Sequence, residues 1–270
     1  MARIEDIRIY PVKGLDPTRV ETGRTTRSGT LAGDREYAML EPGVESTGGD
    51  FDTVGGTLNG KDIEHLHEIE SSFDPETGVL ALEGSDRSAR FELPTESDAA
   101  SEWLSEFVGF DVALRHRDPP GFVDRPQFGP SVISTGTLEE VASWFDGMTV
   151  ESARARLRPN VEVGGVPAFW EDQFLGEEPS GFDAGGVRFE GIEACVRCVV
   201  PSRDPDTGEP IEAFRRRFVE RRRETLPPWV DEETLGSSFS VMLITSVPET
   251  HHDETLRVGE EVSVEENPKS

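Results

Sequence analysis

Short apolar runs, each closed by a turn signal, recur through most of this chain and commit it to a strand-rich fold. At the N-terminus Ile4, Ile7 and Ile9 are separated by polar residues over 3–12. Further runs at Val20–Thr25, Tyr37–Leu40, His67–Phe73, Val79–Leu82 and Ala89–Leu93 are divided by Gly-Asp, Gly-Gly and Asn59-Gly60 turns. Many short strands at this spacing predict a barrel or sandwich. From Pro94 the pattern changes. Thr95 or Ser97 is expected to N-cap a helix with Ala99, Trp103, Leu104, Phe107 and Val108 on one face. Val112–Arg115 reads as a strand again, and Pro119-Pro120-Gly121 as a loop near a domain boundary. In the second half, strands are expected at Ser131–Ser134, Val161–Val163, Val187–Ile192, Phe239–Ser246 and Thr255–Val264. Thr137 is expected to cap a helix in which Glu140 completes a capping box and Leu138, Val141 and Phe145 face the core. A second helix is expected over Ile211–Thr225, with Ile211, Phe214 and Phe218 on one stripe, and 265–270 reads as a polar tail.

Charge limits the partners. The chain carries 54 acidic against 27 basic side chains, a net charge of −27, and its lysines are only Lys13, Lys61 and Lys269. Self-repulsion of that size destabilises a compact state unless salt screens it, so the composition points to a halophile that accumulates salt. A mean hydropathy of −0.47 would also suit disorder, but the regular strand patterns argue against that. The acidity argues against nucleic acid and against an anionic membrane surface as partners. No run reaches about eighteen apolar residues, and the start of the chain lacks an apolar signal core, so a cytoplasmic location is expected.

The chain has 2 cysteines, and they stand three apart as Cys195-Val196-Arg197-Cys198. They are too few for a disulfide framework. Three readings compete. A thioredoxin-like pair needs the first Cys at a helix N-terminus, but here Pro201 and the turn Asp204-Pro205-Asp206-Thr207-Gly208 follow. A structural zinc site needs two further ligands, for which His65, His67, His251 and His252 are the candidates. The third reading is one functional thiolate beside a structural neighbour, on a strand-to-turn junction that suits a soft metal or persulfide chemistry. Arg154, Arg156 and Arg158 form one basic cluster and Arg215, Arg216, Arg217, Arg221, Arg222 and Arg223 another. Each could grip an anion or an acidic protein, or simply pair with the surplus acids. No GxGxxG, P-loop, GxSxG or HExxH pattern is present; Gly48-Gly49 and Gly55-Gly56 stand outside any such motif.

Six motifs in order carry a resemblance. They are Tyr10-Pro11-Val12-Lys13, Gly33-Asp34-Arg35, Ser134 with Thr137-Leu138, Arg156-Leu157-Arg158-Pro159-Asn160 followed by Phe169, Glu171 and Asp172, then Cys195-Val196-Arg197-Cys198 with Asp204-Pro205-Asp206-Thr207-Gly208, and 255–262. Over nearly its whole length the chain resembles the MOSC family, and more closely the two-part subgroup that includes the mitochondrial amidoxime reducing component and its bacterial relatives. The resemblance implies a mainly β protein: an N-terminal β-barrel-like domain over 1–115, a MOSC β-barrel with attached helices over 116–266, and a tail at 267–270. It implies a pterin-based molybdenum cofactor between the domains. Cys198 would be the catalytic thiolate on the metal, Cys195 its non-ligand neighbour, and Lys13, Arg35, Ser134, Arg158 and Asn160 would hold the phosphate and pterin. The implied activity is an oxidoreductase that reduces N-hydroxylated or other oxygenated small molecules. The alternatives are a carrier of persulfide sulfur or of the cofactor without turnover, and a non-catalytic binding module. With no further cysteines for an iron–sulfur cluster, a separate electron-donor protein is expected, and the Arg215–Arg223 helix is a place for it to dock. Pyridoxal phosphate is not expected, because Lys13 is assigned elsewhere, Lys269 lies in the tail and only Lys61 remains. The chain departs from the family pattern at Val200-Pro201-Ser202-Arg203 and at Ser238-Phe239-Ser240-Val241.

Overall fold

The structure, a computed structural model, describes residues 1–44, 56–176 and 180–264. The expected turns at Gly48-Gly49 and Gly55, the polar tail at 265–270 and Lys269 within it lie outside the described residues.

The largest sheet has eight strands, in the order Val262–Val264, Gly181–Ala184, Val187–Val196, Ser240–Ser246, Ser131–Ser134, Val161–Gly164, Arg3–Ile9 and Thr18–Arg19. It closes on itself. Ile4 N donates to Glu260 O at 2.9 Å, Val262 N donates to Ala2 O at 3.0 Å, and Arg3 bridges Glu261. Closure satisfies strand edges that would otherwise be open. The chain's first strand is therefore a stave of the barrel formed by its second half, with Ile4 opposite Val163 and Ile7 opposite Val161. Ile4, Ile7, Val132, Val161, Val163, Phe182, Phe189 and Leu243 fill the interior. Ser240–Ser246 is buried through its first six residues because both faces are covered. Leu243 faces the barrel core, while Val241, Met242 and Ile244 pack with Phe214 and Phe218 of the helix Phe214–Glu224. A strand buried on both sides reads as a continuous apolar run, which is what Val241-Met242-Leu243-Ile244 is.

The first half adds two smaller sheets. Tyr37–Leu40 lies between Ala113–His116 and the two-residue strand Val12–Lys13, and also pairs with Thr57–Leu58. Glu70–Asp74, Val79–Glu83 and Ser88–Glu92 form an antiparallel meander. The helix Ser97–Val108 packs Trp103 and Leu104 onto Leu80, Leu82, Phe91 and Leu114.

Several elements differ from expectation. The His67–Phe73 run begins as a 3-10 helix over Glu64–Glu68, because Leu66 and Ile69, three apart, both anchor in the core; the strand starts at Glu70. Neither Thr95 nor Ser97 caps the next helix. Glu96 holds the cap position, Ser97 Oγ donates to Pro94 O at 2.8 Å, and Ala100 rather than Ala99 is buried. Ser134, not Thr137, caps Thr135–Ser143, and Glu140 accepts from Trp144 Nε1 at 2.9 Å instead of closing a capping box. The Arg-rich helix starts at Phe214, three residues later than expected. The 255–264 stretch splits into Thr255–Arg257 and Val262–Val264. The helix Val150–Leu157 and the strand Gly181–Ala184 were not anticipated.

One polar cluster is sealed inside this half. Asp172 pairs with the fully buried Arg222, whose guanidinium carbon lies 4.0 Å from the centre of the Phe169 ring. Next to it, Glu171 is wholly buried and accepts from Ser134 N at 3.3 Å. Burial, aided by the charge on Asp172, pushes the Glu171 carboxyl up to about 7. A carboxyl raised in the folded state contributes stability that is fully present below its ordinary value of 4.5 and is lost as pH rises through about 7. Glu171→Gln should therefore flatten the fall in melting temperature between roughly pH 5 and pH 8. Melting curves of both proteins across that range check this, and parallel declines would place the titration elsewhere.

Candidate functional site

A cavity of about 230 Å³ runs between the first half of the chain and the barrel. Among the described residues that line it are eight Lys or Arg and three Asp. The molecule as a whole is twice as rich in acids as in bases, so this concentration of cations runs against the average. The cavity's ligand is therefore expected to be anionic.

Lys13, Arg35, Arg158, Asn160, Cys195 and Cys198 all line it. Lys13 arrives on Val12–Lys13, after Pro11 breaks the first strand. Its Nζ donates to Phe122 O at 2.9 Å and to Asp124 Oδ1 at 2.7 Å. Burial pulls its pKa down, and Asp124 opposes that pull. Arg35 has φ 55° and Arg158 φ 56°, a left-handed conformation that is uncommon for non-glycine residues and often marks functional positions. Gly121 makes room for the first: a Cβ there would stand 2.5 Å from Arg35 O, which accepts from Phe122 N at 2.7 Å. Arg158 closes the helix Val150–Leu157, its N donating to Arg154 O at 2.8 Å, and Pro159 then stops any continuation. Both guanidiniums stack on Tyr10, at 4.7 Å for Arg35 and 4.1 Å for Arg158. Tyr10 is held in turn by its own hydroxyl, which donates to Pro159 O at 3.1 Å. Arg35 is neutralised by Asp34. Among the described residues Arg158 donates only to the Leu15 carbonyl, at 2.7 Å, and its pKa is lowered, chiefly by burial, with Arg35 adding to the effect. An anion entering here would relieve that.

Asn160 lines the cavity, but its amide is tied to the protein. Oδ1 accepts from Ser131 N and Oγ at 3.2 and 3.0 Å, and Nδ2 donates to Arg8 O at 3.1 Å. It fastens Ser131–Ser134 to Arg3–Ile9 beside the site. Ser134 is not brought to the cavity. It is fully buried, its Oγ accepts from Thr137 N at 3.1 Å as a helix cap, and Ser131, at the other end of the same strand, faces the cavity in its place.

The strand Val187–Val196 extends four residues beyond expectation and delivers the cysteine pair. Both thiols are free; Cys195 is buried and Cys198 half-buried. Arg197 N donates to Phe239 O at 2.9 Å, Arg197 Nη1 to Cys195 Sγ at 3.1 Å and Nη2 to Leu157 O at 3.0 Å. The following loop is shaped by Asp204, whose Oδ1 accepts from Asp206 N and Thr207 N, both at 3.1 Å. Arg156 clamps this loop through the carbonyls of Pro201 and Arg203 and through Asp204. Arg154 instead pairs with Glu151 and Glu162. Of the first basic cluster, then, Arg154 is charge pairing, Arg156 is loop support, and Arg158 is presented to the cavity.

Ser131 was not singled out from the sequence; Tyr10, Arg197 and Arg203 entered only within longer runs, and His67 only as a candidate zinc ligand. Three buried nitrogens on cavity-lining residues have no partner among the described residues: His67 Nε2, Arg197 Nε and Arg203 Nε. Unsatisfied buried nitrogens are costly and call for a ligand or water. The crowded cations and the one half-buried thiol fit an anionic group that carries a soft metal. A zinc site fits less well, because among the described residues no three His, Cys, Asp or Glu side chains converge on one point. No helix of the described residues is long and apolar enough to cross a membrane.

Comparison with known proteins agrees with this geometry in order and extent. A MOSC N-terminal beta barrel domain matches residues 1–90 and a MOSC domain matches residues 124–263. The chain is similar to the mitochondrial amidoxime reducing component 2 of Bos taurus, 23% identical over 262 residues, covering 78% of this chain and 71% of that protein. The mitochondrial amidoxime-reducing component 1 of Danio rerio is 24% identical over 266 residues, covering 83% and 77% respectively. The component 1 of Homo sapiens is 27% identical over 138 residues, covering 44% and 40%.

Proposed function

The chain belongs to the MOSC family, and from that premise we propose that it is an oxidoreductase that binds a pterin molybdenum cofactor and reduces N-hydroxylated or other oxygenated small molecules. One observation carries this reading above the others: a single cation-rich cavity joins the Cys198 thiol to Lys13, Arg35 and Arg158. In this reading Cys198 is the protein's ligand to the metal. Lys13, Arg35 and Arg158 hold the phosphate and pterin, with Tyr10 stacking the two arginines in place and Asn160 fixing the strands beside them. When bound, the cofactor supplies two-electron oxygen-atom transfer. Arg197 steadies the loop between the cysteines and keeps Cys195 in a hydrogen bond of its own, away from the metal role.

Reduction consumes two electrons and two protons. With Cys198 given to the metal in this reading, one cysteine remains, too few for an iron–sulfur cluster, so the electrons come from another protein. The helix Phe214–Glu224 offers a docking surface. Arg215 and Arg216 are exposed on its first turn, where a positive charge is unfavourable to the helix dipole, and neither has an acidic partner among the described residues. Arg215 stacks at 5.2 Å on Phe239, the residue whose carbonyl holds Arg197, and Val196 and Val199 lie exposed beside Cys198. The double variant Arg215→Glu, Arg216→Glu should slow turnover with an acidic donor protein by roughly tenfold at low ionic strength, while turnover with a small chemical reductant stays the same. Equal rates with the donor protein would remove the docking role.

A sulfur-carrier role is the second reading, favoured by the partial exposure of Cys198. Full-length protein made in a cofactor-producing host separates the two. Reduction of a simple N-hydroxylated amidine by a chemical donor supports the first. A metal-free protein whose sulfur is released by cyanide, and which reduces nothing, supports the second.

A further inference from the structure

The chain passes from its first half into the barrel through a segment that also walls the cavity: Val123, Asp124, Arg125, Phe128, Gly129 and Pro130 all line it. The two ends of this segment are fixed by the backbone. Phe122 is buried and its N donates to Arg35 O at 2.7 Å. Gly129 N donates to Thr245 O at 2.6 Å, and Thr245 Oγ1 donates to Pro130 O at 2.6 Å. Between these ends, among the described residues, no backbone group of 123–127 bonds to anything outside the segment. Two ion pairs hold it instead, made by consecutive residues that reach to opposite sides. Asp124 Oδ1 accepts from Lys13 Nζ of the first half at 2.7 Å. Arg125 Nε pairs at 2.6 Å with Glu193, on the barrel strand that delivers the cysteines. The segment is thus a strap laced to both halves of the chain.

The lacing is open to solvent. The side chains of Asp124, Glu193 and Arg125 are 61%, 46% and 31% exposed, and ion pairs this open contribute little and yield to competing ions. The lysine beneath them is buried, and Asp124 is its only carboxylate partner among the described residues. Desolvation tends to raise the Asp124 carboxyl, but Lys13 first, and then Lys61 and Arg35, hold it below its ordinary value. All three of these cations line the cavity, so this carboxylate stands where an incoming anion would be drawn.

We propose that Asp124 is a tethered internal anion that occupies Lys13 while the cavity is empty, and that the strap must give up both of its ion pairs before an anionic ligand reaches that lysine. The contact is autoinhibitory. It lowers the apparent affinity for an anion by the fraction of molecules in which the strap is free. It governs entry to the site of the proposed function without resting on the cofactor, because the test uses protein that holds none. Arg125 and Glu193 distinguish release of the strap from a simple effect of charge. Breaking their bond from either side loosens the strap, yet the two changes shift the local charge in opposite directions. Charge alone would weaken anion binding in Arg125→Gln and strengthen it in Glu193→Gln. Release strengthens it in both.

The full chain, prepared in a host that makes no molybdenum cofactor, is acetylated with a limiting amine reagent in rising sulfate at fixed ionic strength. Modification of Lys13 is read by peptide mass spectrometry against the N-terminal amine. Lysine occurs only at 13, 61 and 269, so the Lys13 peptide is unambiguous. Each protein is compared with its own sulfate-free rate, which cancels any change in the basicity of Lys13. Sulfate should protect Lys13 in the parent. The half-protecting concentration should fall about tenfold in Asp124→Asn, as for a strap latched in roughly nine molecules of ten. It should fall about threefold or more in both Arg125→Gln and Glu193→Gln, two independent breaks of one bond. Shifts of opposite sign in Arg125→Gln and Glu193→Gln, an unchanged value in Asp124→Asn, or no protection in any of the proteins overturns the latch.

Discussion

Replacing Cys198 by Ser should cut molybdenum retention, and with it turnover, by on the order of a hundredfold or more. A serine hydroxyl is a hard oxygen ligand, whereas cysteine sulfur is a soft one that suits a soft metal. The same change at Cys195 should cost roughly tenfold at most. Cys195 is buried and its sulfur accepts from Arg197 Nη1 at 3.1 Å, an interaction that a serine oxygen can reproduce with a small adjustment. Metal content by elemental analysis and turnover with a chemical donor measure both variants. Equal losses at the two positions would point to a redox dithiol or a shared metal, and would remove the asymmetry on which the site assignment rests.

The second large effect concerns salt. A net charge of −27 is weakly screened at about 10 mM ionic strength, where the Debye length reaches about 30 Å, and strongly screened at 1 M, where it falls to about 3 Å. Most described ion pairs have at least one exposed partner, and in pairs such as Arg27–Asp253 both are, at 91% and 48% exposure; such pairs do little to offset the repulsion. The melting temperature should therefore drop by roughly 10 °C or more between molar and millimolar chloride. A flat response would remove the reading of the chain as adapted to high salt. The buried pair Arg222–Asp172 is shielded from salt and should contribute little to the change.

What was legible in the sequence follows from which forces are local. Tyr37–Leu40 and Ser131–Ser134 were read to the residue because each is a short buried run bounded by turn-formers or a cap. The helix Val150–Leu157 was missed because it buries little more than Ala153, Arg156 and Leu157; its two arginines, Arg154 and Arg156, are held by Glu151, Glu162 and Asp204, partners that no periodicity announces. Thr137 was read as the cap because Thr with Glu140 three residues on fits a capping box, whereas the cap is Ser134. The choice depends on the Ser134 backbone being held by Glu171, a contact 37 residues away. In the site, the motifs marked Lys13, Arg35, Arg158, Asn160 and Cys198, all of which line one cavity, but they could not separate ligand-facing groups from supports. Asn160 and Arg156 are anchored to backbone carbonyls and to neighbouring side chains, and Ser134 is a helix cap. His67 entered only as a candidate zinc ligand and Arg203 only as a departure from the family pattern, because only the packing of the 3-10 helix against the post-cysteine loop brings them together.

The most direct measurement is elemental analysis of the full chain purified from a cofactor-producing host, with molybdenum and zinc determined in the same sample. Close to one molybdenum per chain, lost in Cys198→Ser and retained in Cys195→Ser, is the result predicted here. Stoichiometric zinc without molybdenum, or molybdenum that survives the change at Cys198, would contradict it.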